Sequence, residues 1–168
     1  SGGSVNSFQM DKSETQKFTL KKIYSFPSHK NAPQFFSFSL RNKGFLTGSK
    51  EMIRLHYATT GETQLQIPIP ENLSYKTAII AQKFDGVLTA DTLGTLHLWK
   101  MVNPYPQVSL AGLFDEIWYE GYEEPTYVWQ STGGTDEFES KFSLVPLMFG
   151  TLKGTFYALC FAVPLALF

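Results

Sequence analysis

The stretch FSLVPLMFGTLKGTFYALCFAVPLALF, from Phe142 to Phe168, decides how the rest of the chain is interpreted. As a helix, the 25 residues from Leu144 onward rise about 37 Å, which exceeds the ~30 Å of a hydrocarbon core. Its strongly polar members are Thr151, Lys153 and Thr155. They are too few to form the polar face that a surface helix of a soluble domain carries. The stretch therefore predicts a membrane-spanning helix over 142–168, with a buried core helix as the alternative.

Lys153 is the one charged residue between positions 142 and 168. A lysine at the centre of a span costs about 2.5–3.5 kcal/mol, but Lys153 lies in the first half and its stem can reach toward the interface. A snorkelling lysine near the helix start is therefore expected. A charge that lines a solute path is the alternative.

Three short words of the span are specific in their order: Val145-Pro146-Leu147, Gly150-Thr151-Leu152 and Ala162-Val163-Pro164. They resemble the first conserved span in the permease subunits of phosphate-type ABC importers. The preceding run from Leu113 to Gln130, which opens with Phe114 and Trp118, resembles the extracytoplasmic segment before that span. The match covers the last third of the chain. Its motif residues in the span are Pro146, Gly150, Thr151, Leu152 and Pro164.

This resemblance implies a location and a set of partners. The chain would belong to the bacterial inner membrane, with the residues before about 142 outside the cytoplasm. Transport, of phosphate in this family, would proceed by alternating access with a second permease subunit. A partner subunit would hydrolyse ATP, so no enzymatic activity and no cofactor are expected here. A solute-binding protein would deliver the solute. The coupling loop of such a permease would lie beyond Phe168, so the chain is interpreted as a fragment.

Charge is divided unevenly along the chain. Residues 1–100 carry 12 Lys/Arg and 7 Asp/Glu, whereas residues 101–140 carry no Lys or Arg and 8 Asp/Glu. Cytoplasmic flanks of spans are enriched in Lys and Arg, so the missing positive charge favours an extracytoplasmic place for 101–140. The acidic field of this stretch disfavours anion and nucleic-acid binding.

The region 12–112 alternates short apolar strands with turns, which predicts antiparallel β structure. Gly44-Phe45-Leu46-Thr47 matches Gly86-Val87-Leu88-Thr89 at an offset of 42, and 53–57 resembles 95–99 at 41 or 42. A period near forty with several short strands is typical of a β-propeller blade, here of a degenerate WD type. Two such units over 35–102 are therefore predicted, with a generic β-sandwich as the alternative. The residues expected to be buried in them are Leu46, Leu55, Ile80, Leu88 and Leu98.

Two further segments complete the predicted organisation. Residues 1–11, which begin SGGSVNS, are interpreted as a flexible linker or cloning remnant. Residues 113–141 form an acidic, aromatic connector with a helical turn over 113–118. Its aromatic residues predict an interfacial belt beside the span, with packing of the connector on itself as the alternative. They are Trp118, Tyr119, Tyr122, Tyr127 and Trp129.

No residue pattern predicts catalysis or metal binding. His29 lies in a Pro-flanked loop, and His56 and His97 fall near equivalent places of the two repeats. The carboxylates of Glu120, Glu123 and Glu124 could form an acid/base pair, but a solvated acidic face is the simpler interpretation. Cys160 is the single cysteine and lies in the apolar span, so it forms no disulfide within the chain.

Small residues recur at every fourth position of the span, which predicts a groove that packs against another helix. They are Gly150, Gly154, Ala158, Ala162 and Ala166. Pro146 is expected in the first turn, where its missing N–H costs nothing, and Pro164 is expected to bend the helix near its end.

The sequence therefore predicts an extracytoplasmic, β-rich insertion followed by a membrane span of an ABC-type permease. The alternative function is a soluble β-propeller scaffold for protein interactions, whose apolar C-terminal helix packs against protein.

Overall fold

The computed structural model describes residues 2–12, 18–135 and 138–167. Its strands in chain order are β1 (Gly3–Lys12), β2 (Phe18–His29), β3 (Phe35–Phe38), β4 (Gly44–Gly48), β5 (Met52–Tyr57), β6 (Glu62–Pro68), β7 (Tyr75–Ile80), β8 (Gly86–Asp91), β9 (Leu96–Lys100), β10 (Trp129–Gln130) and β11 (Lys141–Phe142). Its helices are α1 (Leu110–Phe114) and α2 (Val145–Leu167). The described residues thus form a mainly antiparallel β structure followed by a C-terminal helix, which confirms the predicted fold class.

Two sheets correspond to the two predicted repeat units. The first unit is the antiparallel meander β3-β4-β5-β6, and the second is the meander β7-β8-β9. In the first, Leu46 pairs with Leu55; in the second, Leu88 pairs with Leu98. With β4 matched to β8 at the sequence offset of 42, the pairing relates β5 to β9 by 43 residues rather than the predicted 41 or 42. The extra residue lies in the β8–β9 turn. Alignment of the short matching sequence segments does not locate it.

The larger of two apolar clusters lies between the two units. Leu46 and Leu55 of the first unit pack with Ala78, Ile80 and Val87 of the second. Each of these five side chains is at most 9% exposed. Full burial of a leucine, isoleucine or valine side chain contributes about 1.5–3 kcal/mol to the free energy of unfolding. The contact between the two units is therefore a main source of stability. The predicted burial of Leu46, Leu55 and Ile80 is confirmed.

The opposite face of the second unit is uncovered. Ile79, Leu96 and Leu98 are 51%, 65% and 73% exposed, and Leu88 is half-buried. The prediction that Leu98 is buried was therefore wrong, and Leu88, also predicted to be buried, is buried only in part. By strand pairing Leu98 is the counterpart of Leu55, which is buried only because the second unit covers it. No described sheet covers the second unit in the same way, and the described residues do not close a propeller ring.

The chain start differs from its prediction. Residues 3–12 form β1, which pairs antiparallel with β2 along its length, so the interpretation of 1–11 as a flexible start was wrong for these residues. Val5 and Phe26 of this ribbon pack on Phe45, on the side of the first unit that faces away from the second. A Gly/Ser-rich sequence forms a strand here because the neighbouring strand and Phe45 supply the pairing and the burial that its composition does not indicate.

The segment between β9 and α2 lies against the β units. Ser109 caps α1, since its hydroxyl accepts a hydrogen bond of 2.8 Å from the Gly112 N–H. The helical turn predicted at 113–118 therefore lies earlier, at Leu110–Phe114. Ile117, Trp118 and Tyr119 are buried after it.

Candidate membrane-inserted site

None of the 23 residues of α2 is buried. Its large apolar side chains, from Leu147 to Leu167, are 43–81% exposed. At 1.5 Å per residue the helix is about 35 Å long, enough to cross a hydrocarbon core of ~30 Å. The predicted start at Leu144 or Val145 is confirmed, and Pro146 lies in the first turn. The alternative of a core helix buried within this chain is wrong for the described residues.

The polar side chains of α2 have partners within the helix. The Thr151 hydroxyl donates to the Leu147 carbonyl at 2.8 Å, and the Thr155 hydroxyl donates to the Thr151 carbonyl at 2.9 Å. The Lys153 ammonium lies 5.8 Å from the centre of the Tyr157 ring. Because hydrocarbon offers no hydrogen-bond partner, such internal bonds are what polar residues need in a span.

The motif residues and the small-residue stripe all lie on α2, as the sequence placed them. A methyl group added at Gly150 or Gly154 would meet no atom within 4 Å. The described chain thus brings no helix against this stripe, and helix packing there stays a prediction. Pro164 lies inside α2 and cannot donate to the Cys160 carbonyl, and the bend expected from this also stays a prediction.

Backbone hydrogen bonds hold the start of α2 against the preceding segment. The Leu144 N–H donates to the Leu113 carbonyl at 2.9 Å, and the Ser143 N–H donates to the Val128 carbonyl at 3.0 Å. One step before, β11 pairs with β10, so that Phe142 stands opposite Trp129. The helix therefore begins at a fixed junction with α1 and β10.

The aromatic residues of the connector divide into two groups. Trp118 and Tyr119 are 8% and 5% exposed, and the Trp118 indole donates to the Tyr122 carbonyl at 2.7 Å. For these two the alternative of internal packing is correct. Tyr127 and Trp129 are each 41% exposed and lie next to the start of α2. Tyr122 is 37% exposed, but its ring also contacts the Tyr119 ring, with centres 6.0 Å apart. Tyr127 and Trp129 are therefore the exposed aromatic residues beside the start of α2.

A buried chain of polar side chains crosses the first unit, and the sequence did not predict it. Its contacts are Ser49 Oγ to His29 Nδ1 at 3.1 Å, His29 Nε2 to Thr47 Oγ1 at 2.8 Å, Thr47 Oγ1 to His56 Nε2 at 2.9 Å, and His56 Nδ1 to Thr63 Oγ1 at 2.9 Å. With both rings neutral, the Thr47 hydroxyl donates to one imidazole and accepts from the other. His29, Thr47, Ser49 and His56 are buried and Thr63 is half-buried, so the two imidazoles have their polar partners inside the fold and are closed to a substrate.

The second unit has a simpler version of this contact. The Trp99 indole donates to the Thr89 hydroxyl at 3.2 Å, and Thr89 is the counterpart of Thr47. By strand pairing the counterpart of His56 is Trp99, so the predicted near-equivalence of His56 and His97 was wrong by two positions. His97 instead contacts the Asp91 carboxylate at 3.2 Å. The threonine recurring in both four-residue words was the available sequence signal for this shared contact.

We expect acid to destabilise the first unit between about pH 6.5 and pH 4. Burial, with His29 and Arg54 nearby, lowers the pKa of His56 to about 4, whereas an unfolded histidine has a pKa of about 6.5. The unfolded state binds more protons in this window. The contribution of His56 is therefore complete above pH 6.5 and is lost as pH falls toward 4, by about 2 kcal/mol.

Denaturant midpoints at pH 7 and pH 4.5 measure this loss. H56Q should reduce the difference between the two midpoints. H97Q, which changes the partly exposed histidine, should retain it. An equal pH difference in wild type and H56Q would contradict the role of His56.

A cleft of about 870 Å³ lies between the turns of the two units and the connector. Arg41 and Lys83 line it from the turns, and Glu120 and Glu139 line it from the connector. Glu139 accepts hydrogen bonds from the Tyr57 hydroxyl at 2.9 Å and the Thr59 hydroxyl at 2.6 Å. Burial and the Glu139 carboxylate raise the pKa of Tyr57 above its usual value. Cationic and anionic side chains both face the cleft, so it has no single-sign field to attract an ion.

Glu120, Glu123 and Glu124, the carboxylates from which an acid/base pair could be formed, are all exposed. Glu120 forms an ion pair with Lys43, and Glu123 and Glu124 lie in the following turn. Among the residues that the structure describes, no three His, Cys, Asp or Glu side chains are grouped to hold a metal ion. The arrangement at these carboxylates is that of a solvated acidic surface.

No protein-family model matches the chain, and no curated protein matches it. A similar solved structure is the crystal structure of the computationally designed Ika4 protein. That protein is 14% identical over 49% of this chain, and the match spans 49% of that chain with a TM-score of 0.38. A likeness of this size carries no conclusion about fold or function.

Proposed function

We propose that this chain is a membrane-bound part of an ABC-type importer permease, of the phosphate-type group that its span resembles. The observation that carries the proposal is α2, a helix of 23 apolar-rich residues of which none is buried in the chain. In water such a surface would cost about 25 cal/mol for each Å² of apolar area. A lipid bilayer removes that cost, because the backbone and the two threonines are already hydrogen-bonded within the helix.

Orientation is the second part of the proposal. The β region and the connector lie outside the cytoplasm, because residues 101–140 carry no Lys or Arg and Lys141 is the single positive charge directly before the span. ATP hydrolysis then belongs to a partner subunit, and alternating access requires further helices that pack beside α2. The order of Pro146, Gly150, Thr151, Leu152 and Pro164 along α2 supports the permease assignment. The phosphate assignment rests on that resemblance alone.

The β region has a separate proposed role in binding protein. Its second unit exposes Ile79, Leu96 and Leu98 on one face, an apolar surface of the kind that mediates protein contacts. In the permease this face would contact a solute-binding protein or a regulatory partner. In the alternative function, a soluble scaffold, the same face would bind protein and α2 would pack against protein instead of lipid.

Cys160 provides the test of the span. It is the single cysteine and lies on α2 beyond its midpoint. In vesicles without detergent, we expect a membrane-impermeant maleimide to leave Cys160 unlabelled, and full labelling after detergent solubilisation. A matched control is L93C in a C160S background, since Leu93 lies in an exposed turn and is 87% exposed. Labelling of Cys160 at the rate of this control, in intact vesicles, would exclude the membrane span and favour the soluble scaffold.

A further inference from the structure

We propose that an exposed apolar collar around the start of α2 rests in the interfacial layer of a lipid bilayer. The collar consists of Leu110, Phe114, Tyr127 and Trp129. This inference rests on the proposed membrane insertion of α2. It adds a second lipid contact, made by residues that lie up to 35 positions before the helix.

The position of the collar follows from backbone hydrogen bonds. Leu113, which precedes Phe114, accepts from the Leu144 N–H at 2.9 Å, and Val128, between Tyr127 and Trp129, accepts from the Ser143 N–H at 3.0 Å. All four collar residues thus lie within a few residues of groups bonded to 143–144. Because α2 is apolar from Val145 onward, the boundary of the hydrocarbon lies at this level.

The collar is exposed although it is apolar. Leu110 and Phe114 are 77% and 47% exposed, while Gly112 on the other side of α1 is buried. The spacing of four residues places Leu110 and Phe114 on one face of α1. The Trp129 ring packs edge-on against Phe142, with ring centres 5.6 Å apart, which holds it beside the first turn of α2. Aromatic rings with one polar atom favour the headgroup level of a membrane.

The charges beside the collar indicate which lipids it contacts. Asp115 and Glu116 follow Phe114 directly and are exposed. Lys141, opposite Gln130 beside Trp129, is half-buried, and its ammonium lies over the Tyr119 and Tyr122 rings. The two exposed carboxylates next to α1 therefore oppose its attraction to an anionic surface, and the contact depends on apolar burial in neutral lipid. A protein partner at the same position is the competing occupant.

Quenching of tryptophan fluorescence by lipid identifies the occupant. The chain has three tryptophans, of which Trp118 is buried and Trp99 lies on β9 in the second unit. The full chain is reconstituted in phosphatidylcholine vesicles whose acyl chains carry bromine near the headgroup. We expect W129F to remove the largest share of the quenched emission, and W99F, the matched control, to leave the quenched emission unchanged. Replacing a third of the lipid by phosphatidylglycerol should not increase the quenching.

Maleimide protection of Cys160 in the same vesicles separates the two proposals. If Cys160 is protected and W129F leaves the quenched emission unchanged, the collar lies away from lipid and this inference is wrong, although the span stands. Quenching that requires the anionic lipid also overturns it. If Cys160 is labelled at the control rate, the span is absent and the collar proposal falls with it.

Discussion

Arginine at the centre of α2 should keep the protein out of the bilayer. Phe156 and Leu159 lie near the middle of Val145–Leu167 and are 62% and 55% exposed, so neither change removes a buried side chain. The Phe156 ring contacts the neighbouring Tyr157 ring within the same helix, with ring centres 6.0 Å apart. Each arginine at the centre of a span raises the free energy of membrane insertion by about 2.5–3.5 kcal/mol. Loss of each apolar side chain raises it by a further few tenths of a kcal/mol, about 0.3–0.6. Together, F156R and L159R should disfavour insertion by about 6 kcal/mol. After expression, flotation of membranes through an alkaline density gradient measures the fraction of protein that is integrated.

The matched control carries the same charge change on the β region. Leu40 and Leu93 are 85% and 87% exposed in turns, so L40R and L93R together add two arginines without disturbing the core. This variant should float with membranes as the wild type does. Unchanged flotation of the F156R and L159R variant would contradict membrane insertion of α2.

Replacement of Thr47 by valine should be the most destabilising single change in the polar chain. Valine keeps the shape of the side chain but removes the hydroxyl that contacts His29 Nε2 and His56 Nε2, and both nitrogens are buried. A buried polar group without a partner costs about 1–3 kcal/mol, so T47V should lose about 2–4 kcal/mol. Denaturant unfolding of the full chain in mild detergent, followed by near-ultraviolet circular dichroism, measures the loss.

The equivalent change in the second unit is the control. T89V removes a hydrogen bond of 3.2 Å from the Trp99 indole, which is 37% exposed and can bond to water instead. It also removes a long hydrogen bond of 3.4 Å from the Thr89 hydroxyl to the His97 carbonyl. It should cost about 1 kcal/mol or less. Equal losses for T47V and T89V would contradict the role of the two-histidine chain.

Local patterns predicted the strands of the two units and the C-terminal helix. Alternation of apolar residues specifies which segments are strands because side chains of a strand alternate between faces. Helix α2 was predictable for a different reason, since its length and composition leave few alternatives. The proline in its first turn also gave its starting point correctly.

Contacts between distant segments were not predictable in the same way. The strand β1 has a sequence typical of a linker, yet it pairs with β2 because Phe26 and Phe45 provide a surface for Val5. The polar chain joins residues from β2 to β6, and no spacing rule relates His29 to Thr47. The same limit explains the division of the connector aromatics into buried Trp118 and exposed Trp129.

The amino-acid sequence by itself determined the antiparallel β class, the 42-residue relation of β4 to β8, and an apolar helix long enough to span a bilayer. These features depend on residue periodicity and composition, which are local. Only the tertiary structure decided that Leu55 is buried while its counterpart Leu98 is exposed. Strand pairing gives both residues the same place in their units, but burial depends on whether another sheet covers that place, and the described chain supplies a covering sheet for the first unit alone.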